Sequence, residues 1–200
     1  MYVELIGLPG AGKTTVARSV SLPPIDHVLA WRRHRFSRAD WRQVAPALWN
    51  VLRCARTMVM LITWGAGGRV IARALLRRCW ERRHGISDHG FVQTLAQHRE
   101  VSGRLCRDPL LLDKILRRLP TDVCVFLEVP MEIAQRRARD RATYSLEDRV
   151  FEEHCAFYEA MLGVGFPLYR VAATPPLPDV ISAVDQVLQS ARHTPRKTGS

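Results

Sequence analysis

The sequence lacks the features of a membrane-spanning or disulfide-rich protein. No window reaches 18 apolar residues, so we expect no transmembrane helix. The opening M-Y-V-E-L has no basic segment of the kind that begins a secretory signal. The five cysteines are widely spaced and form no C-x-x-C pair, which predicts reduced thiols and no zinc site. We therefore expect a cytoplasmic protein.

Lysine is scarce throughout the chain, and acidic residues are scarce in one part of it. Lys13, Lys114 and Lys197 are the only lysines among 30 basic residues. Residues 31–83 contain thirteen arginines and two acidic residues, so this window carries the whole net charge of +11. Arginine binds phosphate through paired hydrogen bonds, which makes the window a candidate anion-facing surface. The alternative is that the arginine usage reflects only a GC-rich coding sequence.

Short apolar runs alternate with segments of helical spacing along the chain. Strands are predicted at 2–6, 85–88, 123–129 and 168–173. Helices are predicted at 14–20, 41–56, 69–83, 91–99, 110–119, 130–139, 146–162 and 179–191. Such alternation predicts a parallel sheet that is covered by helices on both faces. We assign residues 1–191 to a single domain and expect the tail at 192–200, which has no apolar anchor, to be disordered.

A glycine-rich stretch, G-L-P-G-A-G-K-T-T at 7–15, follows the first apolar run directly. It fits G-x-x-x-x-G-K-[ST] between a predicted strand and a predicted helix. The amides of such a loop converge on a phosphate, so the stretch predicts binding of a nucleoside triphosphate. Lys13 would reach the β- and γ-phosphates, and the Thr14 hydroxyl would bind Mg²⁺. The residues expected to bind the nucleotide are Gly7, Pro9, Gly10, Ala11, Gly12, Lys13, Thr14 and Thr15.

The sequence around the loop favours a small phosphotransferase. It contains neither a guanine-reading N-K-x-D or T-K-x-D nor the serine-glycine-glycine signature of an ABC ATPase. The dense arginines of R-R-A-R-D-R, at 136–141, suit a lid over 136–145 that closes on the phosphates. The alternative for this segment is a solvated basic helix face.

Asp88 follows the short strand at 85–87, where parallel strands present ligand-binding groups. Its carboxylate would be a Mg²⁺ ligand or a general base. The alternative is an N-cap for the helix that is predicted to begin at Phe91.

Three stretches resemble thymidylate kinases and the wider group of nucleoside monophosphate and deoxynucleoside kinases. They are the glycine-rich stretch, V-C-V-F-L-E-V-P-M-E-I-A-Q-R-R-A-R-D-R at 123–141 and E-D-R-V-F-E-E-H-C-A-F-Y-E at 147–159. The resemblance covers 1–20 and 85–190. It implies a three-layer α/β/α P-loop kinase fold, with a five-stranded parallel sheet in the order 2-3-1-4-5 and helices on both faces.

The resemblance also implies roles for individual residues. ATP and Mg²⁺ would be the cofactors, with Thr14 and Asp88 on the metal. The implied catalytic residues are Lys13, Asp88, Arg137 and Arg141, and the implied further nucleotide contacts are Arg136 and Arg149. From its spacing alone, Arg149 is equally suited to a structural pair with Glu153 at i+4.

Two segments depart from the family pattern. D-H-G stands at 88–90 where the family resembles D-R-Y, whose arginine serves the acceptor phosphate, so we doubt thymidine monophosphate as a substrate. Residues 25–84 do not align with the family's acceptor-binding region, and they contain all five tryptophans. Three explanations stay open: an acceptor site rebuilt for an anionic or bulky substrate, a membrane-surface patch, or helices with buried tryptophan and outward arginine. Gln93 and Gln97 are either acceptor contacts or exposed helix residues.

The sequence therefore predicts an ATP- and Mg²⁺-dependent kinase that phosphorylates a small acceptor, by resemblance a nucleotide or nucleoside. The alternatives are a kinase of a sugar, an antibiotic or another metabolite, and an accessory P-loop ATPase that docks to a membrane or protein partner. A homodimer through the helices at 41–83 also stays open, because the family often pairs in that way. We expect no nucleic-acid partner, since the basic residues are not interleaved with aromatics on a recognisable binding fold.

Overall fold

A parallel β-sheet lies at the centre of the structure. The computed structural model describes residues 1–25, 41–80, 85–117, 121–140, 148–164 and 168–193, with only the backbone for 41–50, 53, 77–80 and 193. The strands are β1 (Tyr2–Ile6), β2 (Gly85–Ser87), β3 (Val123–Glu128) and β4 (Leu168–Ala172). They lie in the order β2-β1-β3-β4, and all three pairings are parallel.

The central strands β1 and β3 form the most deeply buried part of the sheet. All five residues of β1 are buried, and Val3 pairs with Ile86 on one side and with Val123 on the other. Parallel strands that are covered on both faces are near-continuous apolar runs, and Y-V-E-L-I and V-C-V-F-L-E fit this pattern apart from one buried glutamate. The strand predicted at 123–129 is confirmed as β3.

The prediction of a fifth strand is wrong for the described residues, which form a four-stranded sheet. The position outside β2 holds one isolated bridge, between Pro24 and Ile86. Ile25 N donates to Ile86 O at 2.8 Å, and Ile86 N donates to Pro23 O at 3.0 Å. Proline has no N–H group, so the two consecutive prolines cannot extend this bridge into a ladder.

Helices connect the strands along the chain. In chain order, the described helices are α1 (Lys13–Ser19), α2 (Trp41–Thr63), α3 (Gly65–Trp80), α4 (Phe91–Gln97), α5 (Arg99–Arg107), α6 (Pro109–Leu116), α7 (Met131–Asp140), α8 (Asp148–Gly163) and α9 (Leu177–His193). Within the described residues, none of them is long and apolar enough to cross a membrane. Helix α9 reaches His193, so the first two residues of the segment predicted as a disordered tail are helical.

Two helix predictions need correction. The helices predicted at 41–56 and 69–83 leave a gap of twelve residues, but in the structure Trp64 alone separates α2 from α3, which begins at Gly65. A Cβ on Gly68 would lie 1.8 Å from Leu61 O, so glycine here permits close packing of α2 on α3. Helix α5 was not predicted, because its mixed R-E-V-S-G-R-L-C-R sequence has few apolar residues.

Candidate phosphate-binding site

The glycine-rich loop connects β1 to α1 and has the backbone that its glycines allow. Gly10 and Gly12 have φ angles of 84° and 85°, in the left-handed region that disfavours other residues. Ala11 N donates to Leu8 O at 3.1 Å inside the loop. Gly12 is the N-cap residue of α1, so the first-turn amides of the helix, for which a helix provides no internal acceptor, adjoin the loop. Turns of this kind form concave anion sites.

Lys13 folds back onto the same loop. Its Nζ donates to Gly7 O at 2.8 Å and to Leu8 O at 2.9 Å. The ammonium group therefore lies against the loop backbone, close to the amides that the sequence assigns to phosphate. A bound polyphosphate would compete for this cation with the two carbonyl oxygens.

Thr14 and Asp88 meet next to the loop, although they are 74 positions apart in the sequence. The Thr14 hydroxyl donates to Asp88 Oδ2 at 2.5 Å. Thr14 is the second residue of α1, and Asp88 immediately follows β2. The parallel pairing of β1 with β2 brings these carboxyl-end segments side by side. The two residues predicted to bind Mg²⁺ are thus in direct contact.

Asp88 is not the N-cap of α4, so that alternative is wrong. The N-cap position is Gly90, and the free amides of the first turn bind the buried carboxylate of Glu4 instead. Phe91 N donates to Glu4 Oε1 at 3.0 Å, and Val92 N donates to Glu4 Oε2 at 2.9 Å. This leaves the Asp88 side chain to face Thr14.

The buried carboxylate of Glu4 also explains why position 90 is a glycine. A Cβ at this position would lie 2.2 Å from Glu4 Cδ, so any larger residue would displace the glutamate. The Thr121 hydroxyl also donates to Glu4 Oε1, at 3.0 Å. The D-H-G sequence, which departs from D-R-Y, therefore accompanies a buried glutamate that fixes the start of α4.

Helix α7, which carries the predicted lid arginines, packs against the glycine-rich loop. A Cβ on Gly10 would lie 2.3 Å from Ala134 O, so loop and helix touch backbone to backbone. Arg137 Nη1 donates to Ala173 O at 3.0 Å, just beyond β4. Helix α7 is thus held to the loop at its middle and to the β4–α9 connection near its end.

Similar solved structures show what fold these elements make. No protein-family model and no curated protein matches the sequence. Deoxyadenosine kinase from M. mycoides with bound dATP is 15% identical, with a TM-score of 0.50, and the match covers 94% of this chain and 100% of that one. The structure of the same enzyme with bound dCTP is 14% identical, with a TM-score of 0.54, and the match covers 95% of this chain and 100% of that one. Its structure with the products dCMP and a flexible dCDP is 14% identical, with a TM-score of 0.55, and the match covers 95% of this chain and 99% of that one.

The overall fold is therefore similar to that of these solved deoxyadenosine kinases. At these identities the likeness concerns the fold, and the resemblance to thymidylate kinases in particular stays a prediction. In this fold the glycine-rich loop, the start of α1 and Asp88 lie at one end of the sheet, where Thr14 contacts Asp88.

The other arginines predicted for the site and the lid differ in their surroundings. Arg149 Nε donates to Glu153 Oε1 at 3.2 Å, the structural pair that its spacing allowed. Arg139 Nη2 contacts Asp148 Oδ1 at 3.3 Å and links α7 to the start of α8. Arg136 is exposed. Arg141 lies outside the described residues, as do residues 141–145 of the predicted lid.

A buried polar cluster behind the loop was not predicted. The Tyr158 hydroxyl, on α8, has one proton for two acceptors, Gln93 Oε1 at 2.8 Å and Gly7 O at 3.2 Å. Burial raises the pKa of this phenol, which keeps it neutral. Gln93 is buried and therefore not an exposed helix residue, whereas Gln97 is exposed.

His154 completes this cluster one helical turn before Tyr158. Its Nδ1 lies 2.7 Å from Val150 O and donates in the neutral tautomer that this contact requires. Burial, aided by the positive charge of Lys13, lowers the pKa of His154. His154 Nε2 is buried without a hydrogen-bond partner among the described residues.

Proposed function

We propose that this chain is an ATP- and Mg²⁺-dependent nucleoside kinase, which transfers the γ-phosphoryl group to a hydroxyl of a nucleoside. The observation that carries the proposal is the 2.5 Å contact between Thr14 Oγ1 and Asp88 Oδ2 beside the glycine-rich loop. A hydroxyl and a carboxylate next to a phosphate-binding loop are the protein groups that phosphoryl transfer with a divalent cation requires.

The donor set fits Mg²⁺. Both groups offer hard oxygen atoms, and Mg²⁺ in kinases uses one or two protein ligands together with phosphate oxygens and water. Within the described residues, no cluster of three or more His, Cys, Asp and Glu side chains could hold a metal ion, which agrees with such a sparse set. The bound ion would neutralise charge on the β- and γ-phosphates.

The chain's own residues would position the donor. The loop amides and Lys13 would hold the β- and γ-phosphates, with the ammonium exchanging the carbonyls of Gly7 and Leu8 for phosphate oxygens. In the transfer, the bond from the γ-phosphorus to the bridging oxygen breaks as the acceptor oxygen bonds to that phosphorus. The acceptor hydroxyl loses its proton. If Asp88 does not bind the metal, its carboxylate would receive this proton.

The acceptor end of the site suits a hydroxyl better than a phosphate. The positions after Asp88 hold an exposed histidine and Gly90, which cannot supply the arginine that serves an acceptor phosphate in D-R-Y. The structures of similar fold contain dATP, dCTP or the product dCMP, and they are named deoxyadenosine kinases. These points favour nucleosides over nucleoside monophosphates.

The test is transfer of label from γ-labelled ATP to a panel of acceptors, with Mg²⁺ and the whole chain. The panel contains deoxynucleosides, ribonucleosides, their monophosphates, sugars and aminoglycoside antibiotics. Labelled nucleoside monophosphate that depends on Asp88 would support the proposal. Label on a sugar or antibiotic would select the metabolite-kinase alternative, and release of phosphate to water alone, with every acceptor, would overturn the kinase assignment.

A further inference from the structure

The hairpin of α2 and α3 exposes an unusual amount of aliphatic surface. Leu52, Val59 and Ile62 on α2 are 60%, 62% and 51% exposed. Val70 and Leu76 on α3 are 44% and 39% exposed, so the hairpin holds five of the seven large apolar side chains that the described residues expose. Scattered exposed apolar residues are ordinary, but a concentration of them marks an interaction surface.

The exposed residues of α2 share one face of the helix. Leu52, Val59 and Ile62 follow each other at seven and three positions, so they align along the axis. The opposite face, with Cys54 and Leu61, is buried. Among the described elements, α2 makes its main contacts with α3, which in turn packs on α4 and α5, so α2 forms the outer layer of this stack. Its aliphatic face therefore points away from these helices.

The charge around this face has one sign. Residues 41–80 contain seven arginines and neither aspartate nor glutamate. Arg56, Arg69 and Arg73 are exposed among the apolar side chains, and within the described residues none of the three forms an ion pair. Arginines in the rest of the fold do find carboxylates, as Arg99 does with Glu153 at 2.8 Å.

We propose that the outer face of the α2–α3 hairpin docks on an anionic phospholipid surface. Aliphatic side chains at helical spacing enter the boundary between headgroups and acyl chains, while the neighbouring guanidinium groups bind lipid phosphates. A lipid surface satisfies both chemistries at once. Pairing with a second copy would place arginines against arginines, and a nucleic acid would leave Leu52, Val59 and Ile62 without an apolar partner.

The test is flotation of the full chain with vesicles, scored as the fraction of protein that moves with the lipid. Vesicles of phosphatidylcholine alone are compared with vesicles that contain about one-third phosphatidylserine. We expect binding only to the anionic vesicles and a steep loss of binding between 50 and 300 mM salt, conditions chosen to span about a twofold change of screening length. Because the readout is lipid binding without nucleotide, its failure leaves the proposed kinase activity untouched.

Two double variants separate the apolar and the charged contributions. Val59→Ser with Ile62→Ser should abolish flotation, and Arg56→Gln with Arg73→Gln should lower the partition coefficient by about 25-fold, which corresponds to about fivefold for each arginine near the surface. Leu110→Ser is the matched control, since Leu110 is 84% exposed but lies on α6. Circular dichroism spectra and thermal unfolding midpoints, which should be unchanged, show that the variants fold.

Three outcomes would overturn the proposal. One is no binding to anionic vesicles by folded protein at low salt. Another is equal loss of binding in Leu110→Ser and in the Val59→Ser, Ile62→Ser variant. The third is a dimer, measured by sedimentation velocity, that the Val59→Ser, Ile62→Ser substitutions convert to monomer, since the face would then be an interface between copies.

Discussion

The Thr14 hydroxyl donates a hydrogen bond to Asp88 Oδ2 over 2.5 Å, which joins the start of α1 to the end of β2. Neither residue is brought there by its neighbours in sequence. Their contact depends on the parallel pairing of β1 with β2, in which Val3 lies beside Ile86. The site should therefore be sensitive to changes of the Asp88 carboxylate and to changes of the segment after β2 that positions it.

The charge of Asp88 should set the requirement for Mg²⁺. Asp88→Asn keeps the size of the side chain but removes the anionic oxygen, so we expect the Mg²⁺ concentration for half-maximal rate to rise about 10- to 100-fold. The measurement is initial rate against Mg²⁺ at saturating ATP. Glu100→Gln, an exposed carboxylate on α5, is the control and should leave the curve in place. An unchanged Mg²⁺ requirement in Asp88→Asn would remove Asp88 from the metal site.

Gly90 and Glu4 should be coupled in stability. Gly90→Ala places a Cβ 2.2 Å from Glu4 Cδ, and relieving that overlap should cost about 1–3 kcal/mol of the free energy of unfolding. In a Glu4→Ala background the same change should cost less, because the space is then free. Urea denaturation of the four combinations measures the coupling. Gly103→Ala, which meets nothing within 4 Å inside α5, is the control and should be neutral or stabilising.

The local sequence was sufficient where short-range patterns decide structure. The glycine-rich loop and β3 lie where the sequence predicted them, since loop chemistry and a continuous apolar run are properties of consecutive residues. The wrong prediction of a fifth strand came from the resemblance to the kinase family and not from the local sequence. Pro23 and Pro24 withhold the amides that a ladder needs.

Long-range partners account for what the sequence did not reveal at the site. Glu4 stands inside an apolar run, and its role depends on amides 87 and 88 positions later. A charged residue in a buried strand was a usable signal, since such a group is rarely buried without partners. Gln93 gave no such signal, because only the packing of α8 places Tyr158 beside it.

Gly10 should be limited by its contact with α7 as well as by its backbone. Gly10→Ala and Gly12→Ala impose similar strain, since the φ angles are 84° and 85°, but only the former brings a Cβ to 2.3 Å from Ala134 O. We expect Gly10→Ala to lower the free energy of unfolding by about 1–3 kcal/mol more than Gly12→Ala does. Thermal denaturation, followed by circular dichroism, compares the stability of the two variants. Equal losses would mean that α7 yields freely to the added methyl group.

His154 should make stability depend on mildly acidic pH. Burial lowers its pKa below the ordinary value of 6.5, so the native state binds fewer protons than the unfolded state once the pH falls below that value. The contribution is complete above pH 6.5 and is lost as the pH falls toward the native pKa, with a slope of at most about 1.4 kcal/mol per pH unit.

Urea denaturation at a series of pH values measures this slope. His154→Gln should flatten it, and His89→Gln, which changes an exposed histidine, should leave it as in the unmodified chain. A slope that survives in His154→Gln would assign the effect to other groups.

Binding of a nucleoside triphosphate to the loop is the claim on which the rest depends, and isothermal titration calorimetry with ATP and Mg²⁺ tests it most directly. We predict binding by the unmodified chain and a dissociation constant at least about 10- to 100-fold higher for Lys13→Ala, because a charge-assisted contact to phosphate is lost. Lys114→Ala, an exposed lysine on α6, should bind as the unmodified chain does. Folded, unmodified protein that takes up no nucleoside triphosphate, or a Lys13→Ala variant that binds equally well, would contradict the account.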